Sequence, residues 1–207
     1  AAALAIDDVA SALDALRLVA DGDPTDARAR LQIGSLQLRL LRHEDAIAAF
    51  RAALAIDASL DEAHVGVGTA LMSLGDMIGA GRAFQEAIRI DADNGVAYGR
   101  LATVLAAGRR FDLATQAFEE AERLDGLDAS AKRAWGLMHL EQNQTDAALT
   151  RLLAAVQDGP TDARNHTGLA QAYEQAGKRS EAIEHYRIAA EIDPNGPAAT
   201  RLRELTD

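Results

Sequence analysis

The sequence predicts an all-α protein made of one helix pair repeated along the chain, and three observations carry that reading. A skeleton of small and large apolar residues returns every 34 positions without a gap, giving repeats at 27–60, 61–94, 95–128, 129–162 and 163–196. A fixed period of this length means stacked supersecondary units that bury their apolar faces on one another. Hydrophobic content is 48 % with only 4 % aromatic, and alanine supplies much of it, which suits slim helices packed close together. Proline is scarce (4 residues) and strand-like alternation of β-branched residues is missing, so no sheet is expected.

In chain order, residues 1–26 read as the second half of a truncated sixth repeat. Counting places within the repeat from Ala27, Ala12 falls at place twenty, Leu16 at twenty-four, Val19 at twenty-seven and Pro24 at thirty-two. This predicts a second-type helix over Val9–Val19 and the tail of a first helix over Ala3–Ile6. The missing half of that repeat suggests a longer natural chain upstream.

Each full repeat should hold two helices with a turn near place fifteen. Gly75 and Gly177 stand there, with Gly108 one residue early; glycine adopts the left-handed conformation that ends a helix without a Cβ clash. Leu41 and Asn143 occupy the same place in the first and fourth repeats, so those turns should be less comfortable, Leu more than Asn. Asp57–Ala58, Asp91–Ala92, Asp193–Pro194 and Gly159–Pro160 mark the breaks between repeats. After Gly196, Pro197 suits the first turn of a capping helix over 197–207. Its Leu202 and Leu205 should cover the last repeat while Arg201, Arg203 and Glu204 face water.

The recurring small residues have a steric cause. Place eight reads Gly34, Gly68, Ala102, Gly136, Ala170; places twenty and twenty-seven are alanine in every full repeat. There the paired helices should touch most closely, since interaxial distance is set by the contact residues. Bulky residues at place seven (Ile33, Val67, Leu101, Trp135, Leu169) and place twenty-four (Phe50, Phe84, Phe118, Leu152, Tyr186) fill the space between neighbours. Trp135 is thus a core residue rather than a stacking platform for a ligand.

Charge and chemistry exclude several functions. The net charge of −11 argues against a general nucleic-acid binder, which needs a basic face. There are no cysteines, hence no disulfides, thiol catalysis or Cys-ligated metal. No apolar run is long enough to span a bilayer. The start AAALAIDD has no basic region typical of a signal peptide; it also lacks an initiator Met, so the compartment stays open between cytoplasm and, with a removed leader, periplasm. Gly66-Val-Gly68 and Gly79-Ala-Gly81 follow no strand and do not make a nucleotide loop. No two of His43, His64, His139, His166 and His185 share a one-turn spacing, so they read as structural. Asn143-Gln-Thr145 and Asn165-His-Thr167 match a glycosylation sequon of chance length. The chain reads as non-catalytic, with no metal or cofactor.

The last repeat carries Leu169, Ala170, Tyr173, Gly177, Ala182, Tyr186, Ala189 and Pro194 at the signature positions of the tetratricopeptide repeat, which the chain resembles over about four-fifths of its length. The resemblance implies a right-handed α-solenoid of stacked helix–turn–helix repeats, about five and a half of them plus the C-terminal capping helix. It further implies that first-helix places two, five, six, nine, twelve and thirteen, opposite the packed side, line a concave groove for a partner segment. In the first repeat these include Arg28, Leu31, Ser35 and Arg39; in the second, Val65, Thr69 and Met72. Arg100 and Thr103 follow in the third, Arg133, Leu137 and Leu140 in the fourth, Arg164 and Gln171 in the fifth. The thirty groove places sum to +2, from five Arg against three Glu, leaving −13 elsewhere. Small residues such as Gly66 and Ala106 leave room for a guest, and Arg100, Arg133 and Arg164 should form a row.

The expected partner is therefore a protein or peptide segment, acidic with one or two apolar anchors. The carboxylate clamp that some relatives use for Hsp70/Hsp90 tails is not matched: its places hold Leu31, Ser35, Gly66 and Val96, and only Arg100 fits. Two functions follow from the resemblance: an interaction scaffold in a bacterial multiprotein assembly such as an envelope or pilus machine, or a targeting or regulatory domain of a larger enzyme.

Overall fold

The computed structural model describes the backbone of residues 2–206 and the side chains from Val9 to Thr206. Among these residues there are twelve helices and no strand, so the chain is an all-α helical repeat. It divides into two compact halves, one reaching to Val104 and the other starting at Leu105. The N-terminal half holds α1 (Ala2–Gly22), α2 (Ala27–Arg39), α3 (His43–Ile56), α4 (Asp61–Ser73), α5 (Met77–Ile90) and most of α6 (Gly95–Ala107). The C-terminal half holds the end of α6, then α7 (Phe111–Arg123), α8 (Ala129–Glu141), α9 (Thr145–Asp158), α10 (Ala163–Gln175), α11 (Arg179–Ile192) and α12 (Pro197–Thr206).

Helix α1 corrects one expectation. The tail of a separate first helix over Ala3–Ile6 does not exist as a separate piece, because α1 runs unbroken from Ala2 to Gly22. Place fifteen of that partial repeat is Asp7, in a run without glycine or proline, so nothing in the sequence interrupts the helix there.

The helices start where the side chains can cap them. Asp26, Asp76 and Asp128 each accept a hydrogen bond at 2.8 Å from the amide three residues on, opening α2, α5 and α8. Asn94 and Asp162 do the same kind of work for α6 and α10. Such caps satisfy amides that the first helical turn leaves unpaired. Leu60 precedes α4 and makes no side-chain cap; Asp61 and Glu62 in the first turn supply negative charge to the helix start instead.

All five turns within the helix pairs close the same way. The amide at place sixteen donates to the carbonyl at place eleven at 2.9 Å, as Arg42 to Gln37, Asp76 to Leu71, Arg110 to Leu105, Gln144 to His139 and Lys178 to Tyr173. This closure forces the intervening residue into the left-handed region. Leu41 (φ 57°), Gly75 (85°), Arg109 (56°), Asn143 (59°) and Gly177 (72°) all take it. In the third repeat the left-handed residue is thus Arg109 and not Gly108: the hydrogen-bond register picks the position, and glycine one residue early does not move it.

The core follows the repeat. The alanines at places twenty and twenty-seven of the five full repeats are wholly buried, and so are Phe50, Phe84, Phe118, Leu152 and Tyr186. The small residues exist to make room for these large ones. A Cβ added to Gly34 would stand 2.6 Å from the Phe50 ring and one added to Gly66 only 2.4 Å from it. Leu152 is held likewise between Gly136 and Gly168, at 2.5 Å and 2.9 Å. So Gly66 and Gly168, at place six, are buried contacts to the preceding repeat's large residue, and Gly66 is not groove floor left open for a guest. Trp135 is core as expected, stacked on Phe118 at 5.1 Å with the Arg151 guanidinium 3.6 Å from its ring centroid.

Helix α12 packs Ala198, Leu202 and Leu205 against Ala170, Ala182, Tyr186 and Ala189. Arg201 does not simply face water. It donates to both carboxylate oxygens of Glu174 on α10 and to Glu204 at 2.6 Å, while the Tyr186 hydroxyl donates to Glu174 at 3.0 Å. Leu169 of the same repeat joins a different cluster, with Ala148, Leu152 and Ala172.

Candidate partner-binding face

In the N-terminal half, Arg28, Ser35 and Arg39 on α2 are exposed and Leu31 is half-buried against the core around Phe50. Val65, Thr69 and Met72 on α4, and Arg100 and Thr103 on α6, are half-buried. The hydroxyls are already engaged: Ser35 donates to Leu31, Thr69 to Val65 and Thr103 to Gly99, each to the carbonyl one turn back. They offer a guest their lone pairs and methyls rather than a free donor.

The C-terminal half carries a formed cavity of about 310 Å³. Leu137 and Arg133 of α8, and Thr167, Gly168 and Gln171 of α10, make one side. Asp193 at the end of α11 and Pro197–Ala198 at the start of α12 close it. Four predicted residues therefore meet at one cavity: Arg133, Leu137, Arg164 and Gln171. Leu140 does not line it; its side chain packs on the core around Leu152. Ala106, read as groove surface, is buried.

The two arginines at this cavity play different parts. Arg133 is only 13 % exposed. Its Nη1 donates to Asn165 Oδ1 at 2.6 Å and to Asp162 Oδ2 at 3.2 Å, and Nη2 donates to Ser130 Oγ at 3.2 Å. Burial and the nearby Arg164 charge lower its pKa from the usual arginine value. Arg133 is thus a tie between α8 and the start of α10 as well as part of the cavity lining. Arg164 is 76 % exposed and lays a two-pronged guanidinium on Asp162, with Nε and Nη2 each at 2.9 Å. Those hydrogen bonds hold the Asp162 carboxyl below the usual carboxylate range.

Asp162 was not singled out by sequence, and Asn165 only as part of a chance glycosylation sequon. The other repeats place a buried alanine where Asn165 stands, namely Ala29, Ala63, Ala97 and Ala131. Asn165 is fully buried, its amide donating to the Ala155 and Gly159 carbonyls at 3.0 Å and 2.9 Å. That departure from alanine was the available signal, and its burial removes it as a glycosylation acceptor. Asp193 and the start of α12 were legible only as a break and a cap, not as cavity wall.

Sequence profiles described as tetratricopeptide repeat match residues 2–61, 100–163 and 133–197, and another matches 61–94. The chain belongs to the tetratricopeptide repeat family. Proteins of this family are generally non-catalytic scaffolds for protein–protein interaction. A search of curated proteins gave no match. Among solved structures, the chain is similar to one in the APC/C Cut9–Hcn1 hetero-tetramer, with TM-score 0.88 and 20 % identity; the match covers 99 % of this chain but 40 % of that one. YrrB, titled as a tetratricopeptide repeat protein with an unusual peptide-binding site, gives TM-score 0.61 and 23 % identity over 93 % of this chain and 99 % of its own. PilF of Pseudomonas aeruginosa gives 0.68 and 19 % over 86 % of each. At these identities the likeness shows the tetratricopeptide fold alone. No helix among the described residues is long and apolar enough to cross a membrane.

Proposed function

We propose that the protein is an interaction scaffold that holds a short segment of a partner protein in the cavity beside α8, α10 and α12. The observation that carries this is the cavity itself: apolar at Leu137, Gly168 and Ala198, with the exposed Arg164 guanidinium at its edge. An apolar side chain of the guest would fill the cavity, and an acidic neighbour would share Arg164 with Asp162 through charge-assisted hydrogen bonds. A bacterial assembly is the setting we attach to this reading, on the fold likeness to bacterial tetratricopeptide proteins that this chain matches nearly end to end.

The test is selection of random peptides on the full chain, followed by affinity measurements across salt concentrations. Selected peptides should combine Asp or Glu with one large apolar residue. Arg164→Glu should weaken them and flatten their salt dependence, since charges at a rim act on association; Gln171→Trp should crowd the cavity and weaken them at all salt concentrations. Peptides that bind both variants as tightly as the wild type would place the binding surface elsewhere.

A further inference from the structure

The last helix pair contains an arrangement that peptide binding does not use. His166 of α10 and His185 of α11 face each other with 3.0 Å between their Nδ1 atoms and ring centroids 5.3 Å apart. Tyr173 stacks on His185 at 5.6 Å. The other nitrogen of His166, Nε2, lies 3.0 Å from the Pro160 carbonyl. A carbonyl only accepts, so Nε2 carries the hydrogen, and a neutral ring then offers a lone pair at Nδ1. His185 must donate into that lone pair from its own Nδ1. One proton therefore fills the gap between the rings. A second would set two N–H groups head to head with no acceptor for either.

We propose that the His166–His185 contact is an acid-sensitive latch that closes α10 on α11 at neutral pH and opens in acid once both rings are protonated, when His166 Nδ1 has lost the lone pair that accepts from His185. Burial and the neighbouring His166 hold His185 below the ordinary histidine value, with Glu184 opposing. A base whose protonated form is disfavoured in the folded state binds fewer protons there than when unfolded. Its contribution is present above the unfolded value, near pH 6.5, and is lost as pH falls through and below it.

Most of the charges on the surrounding elements are already paired. Lys132 of α8 is paired with Asp158 of α9 at 2.5 Å, and Asp162 before α10 is held by Arg164 and Arg133. Glu174 of α10 is held by Arg201 of α12, and the Lys178 ammonium lies 5.8 Å from the Tyr173 ring centroid. Glu181 and Glu184 are the carboxylates nearest His185 along α11. Asp162 and Glu174 both sit below the usual carboxylate range, each chiefly because an arginine donates to it. Opening also reaches the cavity, since His166 adjoins Thr167 and Gly168 in its wall; this consequence alone rests on the proposed function.

Amide hydrogen exchange of the full chain without peptide, at about pH 7.5 and about pH 5 and corrected for intrinsic rates, tests the latch. Protection in α10 and α11 should fall on acidification, because the closed pair binds its extra protons more weakly than the open one. Helix α7, which carries no histidine, is the internal reference. In His185→Phe, which keeps a stacked ring but no nitrogen, the fall should vanish. Nitrogen-15 spectra of the wild type give a second reading that needs no variant: His166 protonated at Nε2 and His185 at Nδ1 near neutral pH. Equal protection at both pH values, the opposite tautomers, or an undiminished fall in His185→Phe would each overturn the latch. Because no peptide is present, these outcomes leave the binding proposal standing or falling by its own test.

Discussion

Replacing Leu41 with glycine should make the protein more stable, although it deletes a large apolar side chain. Leu41 has φ 57° in the turn between α2 and α3 and is 75 % exposed, so little burial is lost. A side chain in the left-handed region costs about 1–2 kcal/mol, which glycine avoids. Against that, glycine raises the entropy of the unfolded chain by about 0.4–1 kcal/mol. The difference leaves a gain of about 0.5–1 kcal/mol, or a Tm rise of about 1–4 °C for a chain of this size. Leu41→Ala is the control: it removes the same exposed side chain but keeps the strain, and should gain nothing. Circular dichroism melts of the three proteins decide, with hydrogen exchange locating the change in the first helix pair. A rise in Leu41→Ala equal to that in Leu41→Gly would mean the exposed leucine, not the backbone, was the liability, and the strain assigned to Leu41 would be refuted.

The other expectations concern packing, ties and the end of the chain. Ala114→Leu, at a wholly buried helix contact, should lose about 1–3 kcal/mol by overpacking, measured in urea. Arg133→Glu should cost about 3 kcal/mol by breaking a largely buried pair, whereas exposed Arg164→Glu should cost at most about 1 kcal/mol; equal costs would contradict the separate parts assigned to them. Removing Pro197–Asp207 uncovers Ala170, Ala182 and Tyr186, so light scattering should report self-association, with exchange rising first in α10 and α11. A monomeric truncation with unchanged protection would count against α12 as a cap.

What could be read from sequence was the part governed by period. Places eight, twenty and twenty-seven announce close contact because one steric demand recurs five times, and no single repeat would have sufficed. Departures from the period were harder. Gly66 looked like groove floor because a helical wheel shows only one helix, and the Phe50 ring that needs its space belongs to the preceding repeat. Arg133 could not be read as a tie because its partners, Asp162 and Asn165, lie 29 and 32 residues away. His166 and His185, 19 residues apart, meet only once α10 folds back on α11. Arg109 was missed for the opposite reason: a nearby glycine suggested a local answer where hydrogen-bond register decided.

The seating of Phe50 between Gly34 and Gly66, and of Leu152 between Gly136 and Gly168, bears on which parts of this chain are interchangeable. A repeat array invites cutting and rejoining at any 34-residue boundary, as though each module were a spare part for every other. Here the third repeat could not follow the first, because place six would then bring Arg100 where Phe50 tolerates no Cβ. The transferable piece is therefore the doublet, 27–94 or 129–196, with its large residue and both glycines kept together. Recombination that respects doublets should yield folded chimeras; shuffling single repeats should leave a collision at one seam or a void at the other.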